Sequence, residues 1–166
     1  MGIVCRPWPA TTSGPLGRSK KPSGSRPAPP SVVFFLDEGL GRYEVAQALQ
    51  LAGYEVKPHH PMFQPGTPDE IWLPKVGELG YLVLSKDDAI RLNHGQKRIL
   101  LEANVRAFFL GRADASGSAM AAAFLNAAPR MVRMAMAESR AFIARVHADG
   151  RVTLIERAPR RMRARP

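Results

Sequence analysis

Acidic residues recur in pairs at three places along the chain: Asp37-Glu38, Asp69-Glu70 and Asp87-Asp88. The first pair ends the apolar run Val32-Val33-Phe34-Phe35-Leu36, which reads as a buried strand. The third closes Tyr81-Leu82-Val83-Leu84-Ser85-Lys86, a second such strand, and the middle pair opens a predicted helix just before it. In an open α/β sheet the carboxyl ends of neighbouring strands face one crevice, and ligands bind there. Carboxylates gathered in such a crevice repel one another unless something positive lies between them. Mg²⁺ or Mn²⁺ meets that need, because hard cations take oxygen ligands. The chemistry this suggests is metal-dependent and directed at phosphate.

The elements that must place these acids alternate in type. A strand at about 32–37 precedes a helix at about 41–52, whose Val45, Ala48, Leu49 and Ala52 recur at helical spacing. Gly53 stops that helix, and Tyr54-Glu55-Val56-Lys57 makes a short second strand. The segment from Pro58 to Gly66 reads as an irregular loop with Pro58, Pro61 and Pro65. Thr67-Pro68-Asp69-Glu70 reads as a helix start, with Thr67 as N-cap, Pro68 in the first helical position and Glu70 completing a capping box. That helix runs to about Leu79 despite Pro74, and Gly80 ends it. A strand at 81–86, a helix at 95–103 and a strand at 105–110 follow. An Ala/Met-rich helical stretch fills 116–140, with Pro129 a candidate break. Segments 141–147 and 151–156 form a predicted hairpin about Asp149-Gly150. Strands alternating with helices imply a mainly parallel sheet covered on both faces. Right-handed crossovers then bring the first and third strands together.

The net charge of +10 sits in the two ends of the chain. Residues 1–31 carry Arg6, Arg18, Lys20, Lys21 and Arg26 and no acid; residues 157–166 carry Arg157, Arg160, Arg161, Arg163 and Arg165 and no acid. The basic residues between them balance all 14 acids. A pI near 10.6 suits an anionic partner such as nucleic acid, bound without sequence preference by the tails. Solvated, disordered ends are the plainer reading of such biased segments. The expected organisation is a Pro/Gly/Ser-rich leader at 1–31, one domain at 32–156 and a basic tail at 157–166. The leader has some character of a transit peptide, but its prolines oppose an amphipathic helix; an overextended start is a further explanation. The single cysteine, Cys5, excludes a disulfide framework or a thiolate metal site. No apolar run approaches the roughly 18–20 residues that span a bilayer, so the expectation is a cytoplasmic protein with no membrane partner.

At this point the blocks resemble a known family. Phe35-Leu36-Asp37-Glu38-Gly39-Leu40, then Leu51-Ala52-Gly53-Tyr54-Glu55-Val56, then Pro65-Gly66-Thr67-Pro68-Asp69-Glu70-Ile71-Trp72-Leu73, then Leu82-Val83-Leu84-Ser85-Lys86-Asp87, in this order, are similar to PIN-like domains. The nearest branch is that of the VapC-like toxins and their compact relatives, and the likeness covers about 32–147. It implies a three-layer α/β/α fold with a mainly parallel central sheet. It also implies a Mg²⁺- or Mn²⁺-bound acidic cleft, ribonuclease activity on RNA and a cognate antitoxin as partner. Carried over by position, Asp37, Asp69 and Asp87 are the catalytic and metal-binding acids, with Glu38 the next candidate ligand. Glu70 and Asp88 are expected to be peripheral. Lys86 and Arg91 are placed to bind the substrate's phosphates. Larger PIN domains carry one more acid on an intervening helix, which has no evident counterpart here; Glu38 or Glu70 is the nearest substitute.

Other readings compete with this one. Asp69-Glu70 and Asp87-Asp88 also suit helix N-termini on electrostatic grounds alone. Asp37 is harder to dismiss, because an acid ending a buried strand must be solvated or paired. A non-catalytic PIN-like binding module with an eroded site is the main alternative function. A phosphoacceptor receiver domain fits less well, since its lysine lies on a later strand. His59 and His60 read as ordinary loop histidines, lacking further zinc ligands. Met131, Met134 and Met136 offer an apolar stripe that faces the core, a homodimer partner or an antitoxin helix.

Overall fold

The computed structural model describes residues 32–40, 43–86, 93–111 and 115–159. These form a six-stranded sheet in the order β2-β1-β3-β4-β5-β6. The strands are β1 (Val33–Leu36), β2 (Glu55–Pro58), β3 (Leu82–Ser85), β4 (Arg106–Leu110), β5 (Phe142–Val146) and β6 (Val152–Arg157). The first five are parallel, and β6 returns antiparallel along β5. The helices are α1 (Glu44–Leu51), the single turn α2 (His59–Met62), α3 (Asp69–Glu78), α4 (His94–Glu102) and α5 (Gly117–Ala137).

Strand patterning explains the three layers. Successive side chains of a strand point to opposite faces. Phe34 and Leu36 of β1 therefore join a cluster with α1 and α5, while Phe35 joins a second cluster with α3 and α4. Strands β1, β3 and β4 are nearly continuous apolar runs because both faces are covered. At the edge, β6 alternates half-buried and exposed residues. The α/β/α sandwich and the mainly parallel sheet agree with the sequence reading, as does the pairing of β1 with β3. The terminal hairpin is also present, with Gly150 at φ +78° in its turn.

Three local expectations differ from the structure. The helix after the Pro-rich loop begins at Asp69 with Pro68 as its N-cap. Thr67 does not cap it, because its hydroxyl donates to the Gln64 carbonyl at 2.6 Å instead of accepting from the helix. The loop itself contains the turn α2, with His59 inside the core. Helix α5 passes through Pro129 without a break, from the Ser116 cap to Ala137. Its inner face of Phe124, Ala127, Ala128 and Met131 is fully buried on both sides of the proline. Tertiary packing on both flanks outweighs the one backbone hydrogen bond that proline removes.

Strand β6 reaches one residue beyond the expected domain edge, and Arg157 pairs with Glu138 at 3.3 Å. Glu138 also receives Arg140 Nε at 2.9 Å and Nη2 at 2.8 Å, closing the entry to β5 against the end of β6. The Arg140 hydrogen bonds hold the Glu138 carboxyl down at about 2. A depressed carboxylate stabilises the fold fully above its unfolded value near 4.5, and that contribution fades as pH falls towards 2. Glu138→Gln is therefore expected to lower Tm at pH 7, and the gap to the wild type should shrink between pH 4.5 and 2 in a thermal-melt series. A gap that stays constant over this range would show that the charge of Glu138 is not what matters.

Candidate active site

The sheet order fixes where a site can form. From β1 the chain turns to β2 on one side, then crosses back to β3 on the other. Helix α1, leaving β1, packs with α5 on one face, while α4, leaving β3, lies with α3 on the opposite face. The carboxyl ends of β1 and β3 are therefore the switch point, where the outgoing connections diverge and leave a crevice.

Asp37 stands at that point. Its backbone N–H donates to the Leu84 carbonyl of β3 at 3.0 Å, which ties the first acid to the neighbouring strand. Its Oδ2 accepts the hydroxyl of Ser85 at 2.7 Å. Ser85 is fully buried while Asp37 is only partly so, and the serine thus orients a carboxylate that still faces solvent. Gly39 leaves the adjacent space open: a Cβ there would lie 3.6 Å from both Asp37 Oδ2 and Lys86 Cε. The Lys86 side chain therefore approaches the same opening as the Asp37 carboxylate.

Glu38 is exposed, and its Oε2 accepts the Gly66 N–H at 3.0 Å, which pins the loop before α3 to the end of β1. Asp69 lies at the start of α3, which runs antiparallel to β3, so its first turn is at the same edge of the sheet. Its Oδ1 accepts the Trp72 indole N–H at 2.9 Å, and its Oδ2 accepts the Gln96 amide of α4 at 2.9 Å. Asp69 is thus a structural tie between α3 and α4 whatever else it does. Asp69→Ala would leave the buried Trp72 N–H without its acceptor, and is expected to cost about 1–3 kcal/mol of unfolding free energy in a denaturant titration. Asp69→Asn keeps one acceptor oxygen and should cost less. Glu70 is exposed on α3. Asp87, Asp88 and Arg91 lie outside the described residues.

Sequence reasoning did not single out Ser85, Gln96 or Trp72, each of which holds one of the two described acids. A serine ending a buried strand just before Lys-Asp was the available signal for Ser85. His59 was read as a loop residue, yet it is buried among Phe35, Phe63 and Trp72. Met131 is fully buried and Met134 packs on the same core, so the expected Met131–Met136 docking surface reduces to exposed Met136. Helix α5 turns that stripe toward the sheet and α1.

The acids' type suits a hard cation, and their number among the described residues does not complete a site. No group of three or more His, Cys, Asp or Glu that could hold a metal occurs among the described residues. Asp37 with Glu38 beside it in the chain supplies oxygen donors, and Asp87 lies outside the described residues.

The PIN-like domain model matches residues 32–112, from β1 to just past β4. A protein of Mycobacterium tuberculosis named "Putative ribonuclease VapC45" is 30% identical over 105 residues, which cover 61% of this chain and 76% of that protein. The chain belongs to the PIN-like, VapC-type family. No solved structure gives a significant match. In this PIN-like chain the matched segment contains the switch-point crevice, whereas α5 and the β5–β6 hairpin lie beyond the domain model. The two clusters of its core nevertheless run through both parts, since Phe124 and Phe142 pack with Phe34 and Leu36. No helix among the described residues is long and apolar enough to cross a membrane.

Proposed function

We propose that this PIN-like protein is a divalent-metal-dependent endoribonuclease that acts in the cytoplasm as the toxin of a toxin–antitoxin pair. The observation that carries the reading is Asp37 at the switch point, oriented by buried Ser85 and faced by Lys86 across Gly39. Asp37, Asp69 and Asp87 are the proposed Mg²⁺ or Mn²⁺ ligands, with Glu38 an additional one. The PIN-like relationship supports these assignments. Asp114, in the connection between β4 and α5 and outside the described residues, joins them as a candidate, because that connection leaves the neighbouring strand of the same parallel sheet.

A hard cation held by these carboxylates would polarise a phosphodiester and acidify a bound water. The chain's own residues do the rest. Ser85 fixes the Asp37 carboxylate in one orientation. Lys86 offsets the charge that accumulates on the phosphate as the bond breaks. Arg91 holds the backbone next to it, a contact that positions RNA without reading its sequence. A cognate antitoxin segment laid over the crevice, with a basic side chain directed at the acids, would silence the site.

Hydrolysis of end-labelled RNA by the full chain in Mn²⁺ and in EDTA tests the reading. Cleavage is expected with the metal alone. Equal cleavage in both would point to a contaminant, and no cleavage over many RNAs would favour a non-catalytic RNA-binding module. That second reading draws on one observation, the engagement of both Asp69 oxygens by Trp72 and Gln96.

The basic ends make a separate, measurable contribution. Each phosphate neutralised by Lys or Arg steepens the salt dependence of binding, because counterions are released. Deleting residues 1–31 and 160–166 is expected to flatten the slope of log affinity against log salt while metal-dependent cleavage persists. An unchanged slope would assign the RNA contacts to the folded part.

A further inference from the structure

Beside the crevice lies a cavity of about 180 Å³ that none of the acid chemistry explains. Leu36, Asp37, Glu38, Tyr43, Pro58, His59 and His60 line it, at the carboxyl ends of β1 and β2. Its volume equals roughly six waters at liquid density, enough for one flat heterocycle. Among the described residues no lysine or arginine lines it, and two carboxylates do. Tyr43 projects from the start of α1 with 74% of its surface exposed, an unusual placement for a large aromatic ring. His59, also in the lining, is 3% exposed and held by ring contacts to Phe35 at 6.1 Å, Phe63 at 5.4 Å and Trp72 at 5.9 Å. Its Nδ1 has no hydrogen-bond partner among the described residues, and buried polar atoms in that condition are uncommon.

Resting on the ribonuclease reading, we infer that this cavity holds one unpaired base of single-stranded RNA next to the phosphate at Asp37, and that it favours bases with an exocyclic amino group. Single-stranded RNA is recognised by splaying a base onto an aromatic ring and reading its edge by hydrogen bonds. Tyr43 supplies the ring. Carboxylates at the rim accept N–H donors, as they do from the amino group of cytosine. Glu38 engages Gly66 through Oε2, and its Oε1 turns to the base amine while Asp37, Asp69 and Asp87 hold the cation. Uracil carries no amino group and gains least. His59 offers a fixed polar edge in the wall, set by its aromatic packing.

The test uses the full chain and fluorescein-labelled hexamers of C, A and U, with anisotropy read in EDTA so that metal ligation plays no part. The basic tails bind all three alike, so differences among the hexamers report the cavity. The C and A hexamers are expected to bind about tenfold tighter than the U hexamer, the scale of one hydrogen bond to a charged acceptor. Glu38→Gln should bring C and A down to the level of U, and Tyr43→Ala should weaken all three, each variant checked for an unchanged melting profile. Equal affinity for all three in the wild type, a C and A preference that survives Glu38→Gln, or unchanged binding in Tyr43→Ala overturns the inference. Base-dependent binding by a protein that never cleaves upholds the cavity and removes only the nuclease reading. Cleavage mapped at every base alike, with Mn²⁺ present, keeps the nuclease and removes the cavity's role.

Discussion

Asp37→Asn is expected to remove metal-dependent RNA cleavage while leaving the fold intact. The side chain is only partly buried, and an asparagine oxygen can still accept the Ser85 hydroxyl, so packing around it changes little. What is lost is the negative charge at the switch point, which on the proposed reading anchors the cation. Ser85→Ala makes a graded companion. It keeps the carboxylate and removes the 2.7 Å hydrogen bond that orients it. Loss of such an outer contact to a metal ligand typically costs about 10–100-fold in activity or metal affinity. The order of activities should therefore be wild type, then Ser85→Ala, then Asp37→Asn below that range, measured as kcat/KM on one RNA across a Mn²⁺ titration. Excess Mn²⁺ should recover part of the Ser85→Ala loss and none of the Asp37→Asn loss. Full activity in Asp37→Asn would detach the crevice from the reaction.

Trp72→Ala is expected to give the largest loss of stability, about 3–5 kcal/mol, the range for truncating a large buried aromatic. Trp72 is 1% exposed, stacks on Phe35 at 5.3 Å, meets the edge of His59 and donates its indole N–H to Asp69. One substitution thus opens a cavity in the α3–α4 face and removes both the donor that holds Asp69 and one of the rings around His59. Trp72→Phe separates these effects, since it refills most of the volume but makes no hydrogen bond. Urea denaturation should place Trp72→Phe between wild type and Trp72→Ala. A Trp72→Ala protein as stable as the wild type would mean that this face of the sheet is not closed as described.

Most of the layering was legible in the chain. Alternating strands and helices with turn glycines at their junctions, such as Gly53 and Gly80, follow local rules of period and backbone conformation. The parallel sheet, the β1–β3 pairing and the terminal hairpin came from those rules together with crossover handedness. The place of Asp37 at the end of β1 was legible for a related reason: it closes an apolar run of strand length. Pro129 misled because its local cost is real, and only the apolar flanks buried in three dimensions override it. Thr67 misled because two residues competed for one capping position, and the turn to Gln64 took its hydroxyl.

The sequence by itself determined which residue types were available for chemistry and at which edge of the sheet they would fall. Alternation and strand direction are one-dimensional properties, and they place Asp37, Asp69 and Lys86 at the carboxyl-side edge. Only the tertiary structure decided what each of them touches. Ser85 meets Asp37 across 48 residues, and Gln96 reaches Asp69 across 27. His59 becomes a core residue because Phe35, Phe63 and Trp72, from three separate segments, close around it. Met131 turns inward because α5 packs on the sheet beside α1. Contacts of this kind depend on how two sheet faces and four segments pack at once, and a linear pattern carries no record of that.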